Sequence, residues 1–192
     1  MKNKNHISLL EKRVVEQCAP TLAGLKTGSL FSLRGFSPCS LISEICDLNR
    51  KFRSSGLLLI PLKKTDDFAL LYLYRPNCLK QDLQDPLAAR ILNRFGYSSS
   101  DTTHCILHLC SRLREGSSFP HEIGLFLGYP PKDVEGFIWN PNCAFACKGC
   151  WKVYSEPDKA EKLFKRYRQC TACYLRRLKE GSSLEQLLVS GL

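Results

Sequence analysis

Five of the chain's eleven cysteines fall in one C-terminal stretch: Cys143, Cys147, Cys150, Cys170 and Cys173. They read C-x3-C-x2-C, then nineteen residues, then C-x2-C. Cys147, Cys150, Cys170 and Cys173 fit the paired-cysteine spacing of a zinc site, in which four thiolates surround the ion tetrahedrally. An iron–sulfur cluster would draw on the same four thiolates. Disulfide exchange is a third chemistry open to thiols so spaced. Geometry qualifies the metal reading, because Cys170 and Cys173 fall inside a long predicted helix, about 60° apart around its axis. Cys170 also fits the apolar stripe of that helix, where a cysteine packs as a small hydrophobe.

Other chemistry-bearing residues are weaker signals. His121-Glu122 follows Pro120 at a predicted helix start, but Leu125, not a histidine, stands four residues on, so this is no zincin motif. A first-turn glutamate complements the helix dipole, which is a sufficient structural reason for Glu122. Gly124 and Gly128 would let another element or a ligand approach the backbone closely. His104 and His108 lie one turn apart on a predicted helix whose core stripe is Ile106, Leu109, Cys110 and Leu113. They project from roughly the opposite side, as a solvated pair would. Gly24 to Ser29 has the flavour of a phosphate loop, yet Leu25 precedes Lys26 where a P-loop needs glycine.

The elements that must position these groups follow from periodicity. Ile7 to Gln17 reads as a helix, broken by Pro20, Gly24 and Gly28; GSLFSL reads as a strand. A second helix runs from Pro38 or Ser40 to Phe52, with Leu41, Ile42, Ile45, Cys46 and Asn49 or Leu48 on its buried stripe, and Gly56 ends it. GLLLIPL and FALLYLY, joined by KKTDD, form a predicted hairpin, with Pro61 placing the first strand at an edge. Asp85-Pro86 opens a helix, and Ser100 or Asp101 caps the next. Two short helices flank Gly128-Tyr129-Pro130, CKGCWKVY reads as a strand, and Asp158 to Glu180 is a long helix. The sum is a helix-rich α+β domain around a small antiparallel sheet, residues 1–192, with residues 140–192 as a cysteine-rich C-terminal subdomain.

Length and composition narrow the class. A chain of 192 residues, 44% hydrophobic and 24% charged, can build a core without a metal. The start, MKNKNHISLLEKRVVEQC, has no apolar h-region, and the apolar runs fall far short of the roughly 20 residues of a membrane span. The expected compartment is therefore the cytoplasm, where thiols stay reduced. The net charge of +10 invites a nucleic-acid reading. The basic residues are scattered, though, and no aromatics interleave with them on the C-terminal helix, so a nucleic-acid partner is not expected.

Two resemblances bear on the chain. Cys143-x3-Cys147-x2-Cys150 resembles the cluster motif of radical S-adenosylmethionine enzymes, but only residues 151–192 follow it, too few for that family's barrel. FPHEIGLFLGYPPKDVEGFI, with CAPTLAGLKTGSLF near the start and WKVY followed by AEKLFKRYRQC, resembles the bacterial domain-of-unknown-function family 3793, from about Glu16 to Leu188. That resemblance implies a single cytosolic domain and, by association, a redox or iron-handling partner protein. It carries no activity. It implies that Cys18, Cys170 and a cysteine near Cys150 belong to a shared pattern, whereas Cys143, Cys147 and Cys173 do not. Signature residues that could face a shared pocket are Lys26, Arg75, His121, Glu122, Lys152 and Tyr154.

Three functions remain open on these grounds. The first is an accessory protein that binds a metal (zinc or iron–sulfur) or a redox ligand through the C-terminal thiols. The second is an enzyme or small-ligand-binding domain with its pocket at FPHEIGLFLGYPP. A basic nucleic-acid-binding protein is the third.

Overall fold

The computed structural model describes residues 7–97, 101–116, 118–140, 142 and 144–189. In chain order the elements are α1 (Leu9–Leu22), β1 (Gly28–Arg34), α2 (Pro38–Phe52), β2 (Leu58–Lys64), β3 (Phe68–Tyr74), α3 (Pro76–Leu83), α4 (Pro86–Arg94) and α5 (Thr102–Glu115). They continue with α6 (Ile123–Phe126), α7 (Pro131–Trp139), β4 (Cys147–Lys148), β5 (Lys152–Val153), α8 (Pro157–Lys179) and α9 (Leu184–Leu187). The fold is α+β and helix-rich around a small antiparallel sheet. Among the described residues no helix is long and apolar enough to cross a membrane. The chain packs into two compact units: Met1–Arg75 with Tyr167–Leu192, and Pro76–Arg166.

In the first unit the sheet order is β1-β3-β2, with both pairings antiparallel. FALLYLY is the central strand, and its lack of polar alternation follows from burial on both faces. Pro61 sits on the edge strand as expected, beside a bulge between Pro61 and Lys63. That edge is partly covered by α2. Asn49 Nδ2 donates to the Leu59 carbonyl at 2.9 Å, and Asn49 Oδ1 accepts from the Leu59 N–H at 2.8 Å. The side-chain amide thereby stands in for a further strand's peptide group.

Helix α1 begins at a capping box between Ser8 and Glu11 and runs on through Pro20, which the sequence reading takes for a break. The last-turn carbonyls, which no helix can pair internally, find other donors. Leu25 N–H reaches Pro20 O, and Arg75 reaches the next two: Nε donates to Thr21 O and Nη2 to Leu22 O, both at 2.9 Å. Arg75 also donates to Ser55 O (2.9 Å) and Val189 O (3.0 Å), so one buried guanidinium satisfies four backbone acceptors. Gly24, at φ 72°, turns the chain directly against it.

The core of this unit joins α1, α2, the sheet and the C-terminal segment through Leu10, Val14, Cys18, Leu41, Leu59, Leu71, Tyr174 and Leu187. On α2 the buried stripe is Leu41, Ile45, Leu48 and Phe52, while Ile42 and Cys46 face solvent. The i, i+1 neighbours of a stripe residue lie too far round the helix to share its face. A surface network ties the ends together, with Lys51 Nζ 2.7 Å from Glu11 and 2.9 Å from Glu185.

Two predictions follow from this unit. Arg75→Met removes a donor from four carbonyls, of which Thr21 O keeps the Gly24 N–H at 3.1 Å, and destabilises the protein by about 3 kcal/mol or more, measured by urea unfolding. The Lys51 network predicts a pH profile. Its hydrogen bond with Lys51 holds the Glu185 carboxyl below its ordinary value, so that contribution is in place above about 4.5 and fades as pH falls through the lowered value. Hydrogen bonds to Glu11 and Glu185 raise the Lys51 ammonium above 10.5, so its contribution fades only at strongly alkaline pH. Screening at these partly exposed side chains limits the loss in Lys51→Met to about 1 kcal/mol at pH 7. The difference from wild type in urea midpoint should shrink below pH 4.

Candidate functional site

The second unit contains a cavity of about 250 Å³ lined by residues that include Phe119, His121, Tyr129, Phe137, Trp151 and Lys152. Pro131 starts α7 at its first position, where a missing N–H costs nothing. That start places Asp133 in the first turn, buried, with its carboxylate turned toward the β4–β5 hairpin. Oδ2 accepts from Trp151 Nε1 at 2.7 Å. Oδ1 accepts from the N–H of Tyr154 (2.9 Å), the N–H of Ser155 (2.8 Å) and Ser155 Oγ (2.9 Å). Four donors around one carboxylate compensate for taking it out of water.

The aromatic wall depends on that anchor. Trp151 stacks on Tyr129 with ring centres 4.7 Å apart and meets Phe164 edge-on at 4.6 Å. Two glycines permit the closeness. A Cβ on Gly149 would lie 2.3 Å from the Phe164 ring, and one on Gly136 would lie 2.7 Å from the Tyr154 ring. Gly124 plays the role expected of it, since a Cβ there would meet Val134 at 2.9 Å and Tyr129 at 3.2 Å. CKGCWKVY is thus not one strand but two strands of two residues each, pairing Cys147 with Val153 and Lys148 with Lys152.

The polar groups at the cavity are few. Lys152 Nζ lies 5.3 Å from the centre of the Phe137 ring and 5.2 Å from that of Phe145, and makes no ion pair among the described residues. His121 meets Phe137 edge-on at 5.0 Å. Cys150, Tyr129 and Asp133, whose carboxylate is taken up by its four donors, complete the polar lining; burial, and then the neighbouring Cys150, pushes the Tyr129 phenol up to about 12, so it stays protonated at neutral pH. The Cys147 thiol is also raised, by desolvation first and then by Glu161 and Asp133, which disfavours a free thiolate nucleophile.

Of the six ligand candidates, the structure brings His121 and Lys152 to this cavity. Glu122 points inward instead, where its carboxylate accepts from Tyr97 Oη (3.0 Å) and Arg112 Nε (2.5 Å). Burial and Glu122 together hold the Tyr97 phenol protonated. The Tyr154 ring packs on Gly136, and its hydroxyl is buried with no partner among the described residues. Lys26 and Arg75 belong to the other unit.

Among the metal candidates, Cys147 and Cys150 are carried by the hairpin of the second unit, and Cys170 and Cys173 by the α8 portion of the first. Cys143 lies outside the described residues. Among the described residues no three or more histidine, cysteine, aspartate or glutamate side chains are grouped to hold a metal ion. His108 is half-buried; its Nε2 lies 3.0 Å from Phe95 O and its ring abuts Tyr97.

Sequence reasoning misses Asp133, Tyr129, Phe137 and Trp151. The one local signal for Asp133 is its place just inside a proline-started helix.

Residues 14–188 match the DUF3793 family, described as a protein of unknown function. The chain belongs to that family. No curated protein and no solved structure matches it.

Asp133→Ala removes the acceptor shared by Trp151, Tyr154 and Ser155, and should cost the second unit about 3 kcal/mol or more. Faster amide hydrogen exchange at Tyr154 and Ser155, with a shift in tryptophan emission, checks it. Protection as strong as in wild type would contradict the anchoring role.

Proposed function

We propose that residues 76–166 of this DUF3793 protein bind a small, flat organic anion, an aromatic carboxylate, in the cavity between α6, α7 and the β4–β5 hairpin. The observation that carries this reading is Lys152. Its ammonium has aromatic rings for neighbours and no carboxylate partner among the described residues, at the edge of a mostly apolar cavity. An unpaired cation beside low-dielectric walls attracts an anionic group more strongly than one in water does. The rings of Phe119, Tyr129, Phe137 and Trp151 suit a planar, unsaturated body, and the volume suits one or two rings. His121 supplies a second polar contact at the same wall.

Calorimetric titration with 2-naphthoate and its neutral isostere 2-naphthamide tests the reading. The wild-type protein should prefer the carboxylate. Lys152→Met should weaken carboxylate binding about 10–100-fold, the worth of one charge-assisted contact, and leave the amide within twofold. Phe137→Ala should weaken both ligands. Failure of wild type to bind either compound, or equal affinities in Lys152→Met and wild type, would exclude the proposal.

A further inference from the structure

The β4–β5 hairpin pairs Cys147 with Val153 and Lys148 with Lys152. Successive side chains of a strand alternate between its faces, and directly opposed residues share one. Val153 is fully buried, so Cys147 and Val153 make the inner face of the hairpin and the two lysines its outer face. We propose that the ligand of the cavity carries two carboxylates on adjacent ring carbons, and that Lys148 and Lys152 hold them together. This deepens the reading of the cavity as an anion site and rests on it.

The register creates a repulsion that a dianion would remove. Residues directly opposite on an antiparallel pair have Cβ atoms about 4.5–5.5 Å apart, and like charges so placed destabilise the pairing. Strands of two residues have little stability to spare. Neither lysine has an ion-pair partner among the described residues, and the residues outside that description include no aspartate or glutamate. The carboxylates that act on the hairpin do so at its inner face. Glu161 and Asp133 are the charges felt by Cys147, and Asp133 is taken up by its four donors.

Position sets the arrangement of the two acidic groups. Lys152 lines the cavity, and Lys148 stands exposed directly across the strand pair from it. The two stems start side by side, so their ammonium groups can converge on one edge of the cavity. A ligand with its acids at opposite ends would meet Lys152 alone. One carboxylate offsets one of the two cations; a neighbouring carboxylate within reach of Lys148 offsets both. Asp133 holds Trp151 on one side of Lys152 and Tyr154 and Ser155 on the other. The strand therefore cannot carry Lys152 away from Lys148 without breaking those bonds, and the cation pair is preorganised.

Calorimetry on the full chain tests the pair with three ligands: 2-naphthoate, naphthalene-2,3-dicarboxylate and naphthalene-2,6-dicarboxylate. Wild type should bind the 2,3-isomer about 10-fold or more tighter than 2-naphthoate, the worth of a second charge-assisted contact. The 2,6-isomer, with the same charge but separated acids, should gain less than about threefold. Lys148→Met should erase the advantage of the 2,3-isomer and leave 2-naphthoate within twofold, and Lys148→Arg should keep that advantage. Added salt should narrow it. Equal binding of the 2,3-isomer and 2-naphthoate by wild type would overturn the inference. So would an equal gain for the 2,6-isomer, which reports net positive charge alone, or an advantage that survives in Lys148→Met. If 2-naphthoate still binds through Lys152 in any of these cases, the single-anion reading stands and only the lysine pair falls. Binding of the 2,3-isomer through both lysines, with no binding of 2-naphthoate or its amide, would overturn the single-anion reading and keep the pair. If no naphthalene acid binds, both fall.

Discussion

A single buried carboxylate organises the second unit. Asp133 has no cation bonded to it among the described residues; its charge is met by an indole N–H, two backbone N–H groups and a hydroxyl. That choice of partners matters. A side-chain cation could be answered from many backbone geometries, but two consecutive amides and an indole can converge on one carboxylate only if the chain from Trp151 to Ser155 curls around it. The hairpin, its thiols, the stacked Trp151 and Tyr129 and the position of Lys152 all follow from that curl. A two-residue strand pair has little stability of its own. Here it persists because its polar backbone is spoken for and its tryptophan is packed.

The first unit meets the same physical demand with the opposite charge. Arg75 ends the central strand and turns its guanidinium onto carbonyls that α1, the turn after α2 and the C-terminal segment would otherwise leave bare. A planar fork of five N–H donors suits that task where a lysine would not. In both units, then, one ionised side chain acts on the backbone of segments far apart in sequence. A glycine lies beside each: Gly24, at φ 72°, next to Arg75, and Gly149 against the ring that backs the hairpin, where a Cβ would not fit.

Much of the framework is legible in the chain. The α2 helix, followed by one further turn that Gly56 closes, the hairpin of GLLLIPL and FALLYLY, the Asp85 cap, Asp101 as one of the two expected caps of α5, and the pair of helices around Gly128-Tyr129-Pro130 stand where periodicity and capping chemistry put them. What periodicity misreads has identifiable causes. Pro20 stays inside α1, whose last-turn carbonyls are served by Leu25 and Arg75, and Pro76 opens α3 directly rather than only ending β3. Ile42 and Cys46 are apolar yet face out, because composition alone does not say which residues of a helix share a face.

Local chemistry written in the chain determined the elements, their caps and the family, and it marked His121 and the paired cysteines as residues worth following, with Lys152 added by the family resemblance. Only the tertiary structure decided which of them meet. It set His121 and Lys152 at one cavity, turned Glu122 inward to Tyr97 and Arg112, and occupied Arg75 with backbone carbonyls. It also revealed Asp133, whose importance no spacing rule announces. The reason is physical. Caps, turns and strand periods depend on neighbours within a few residues, whereas a buried charge is placed by donors about twenty positions away, and their convergence exists only once the chain has folded.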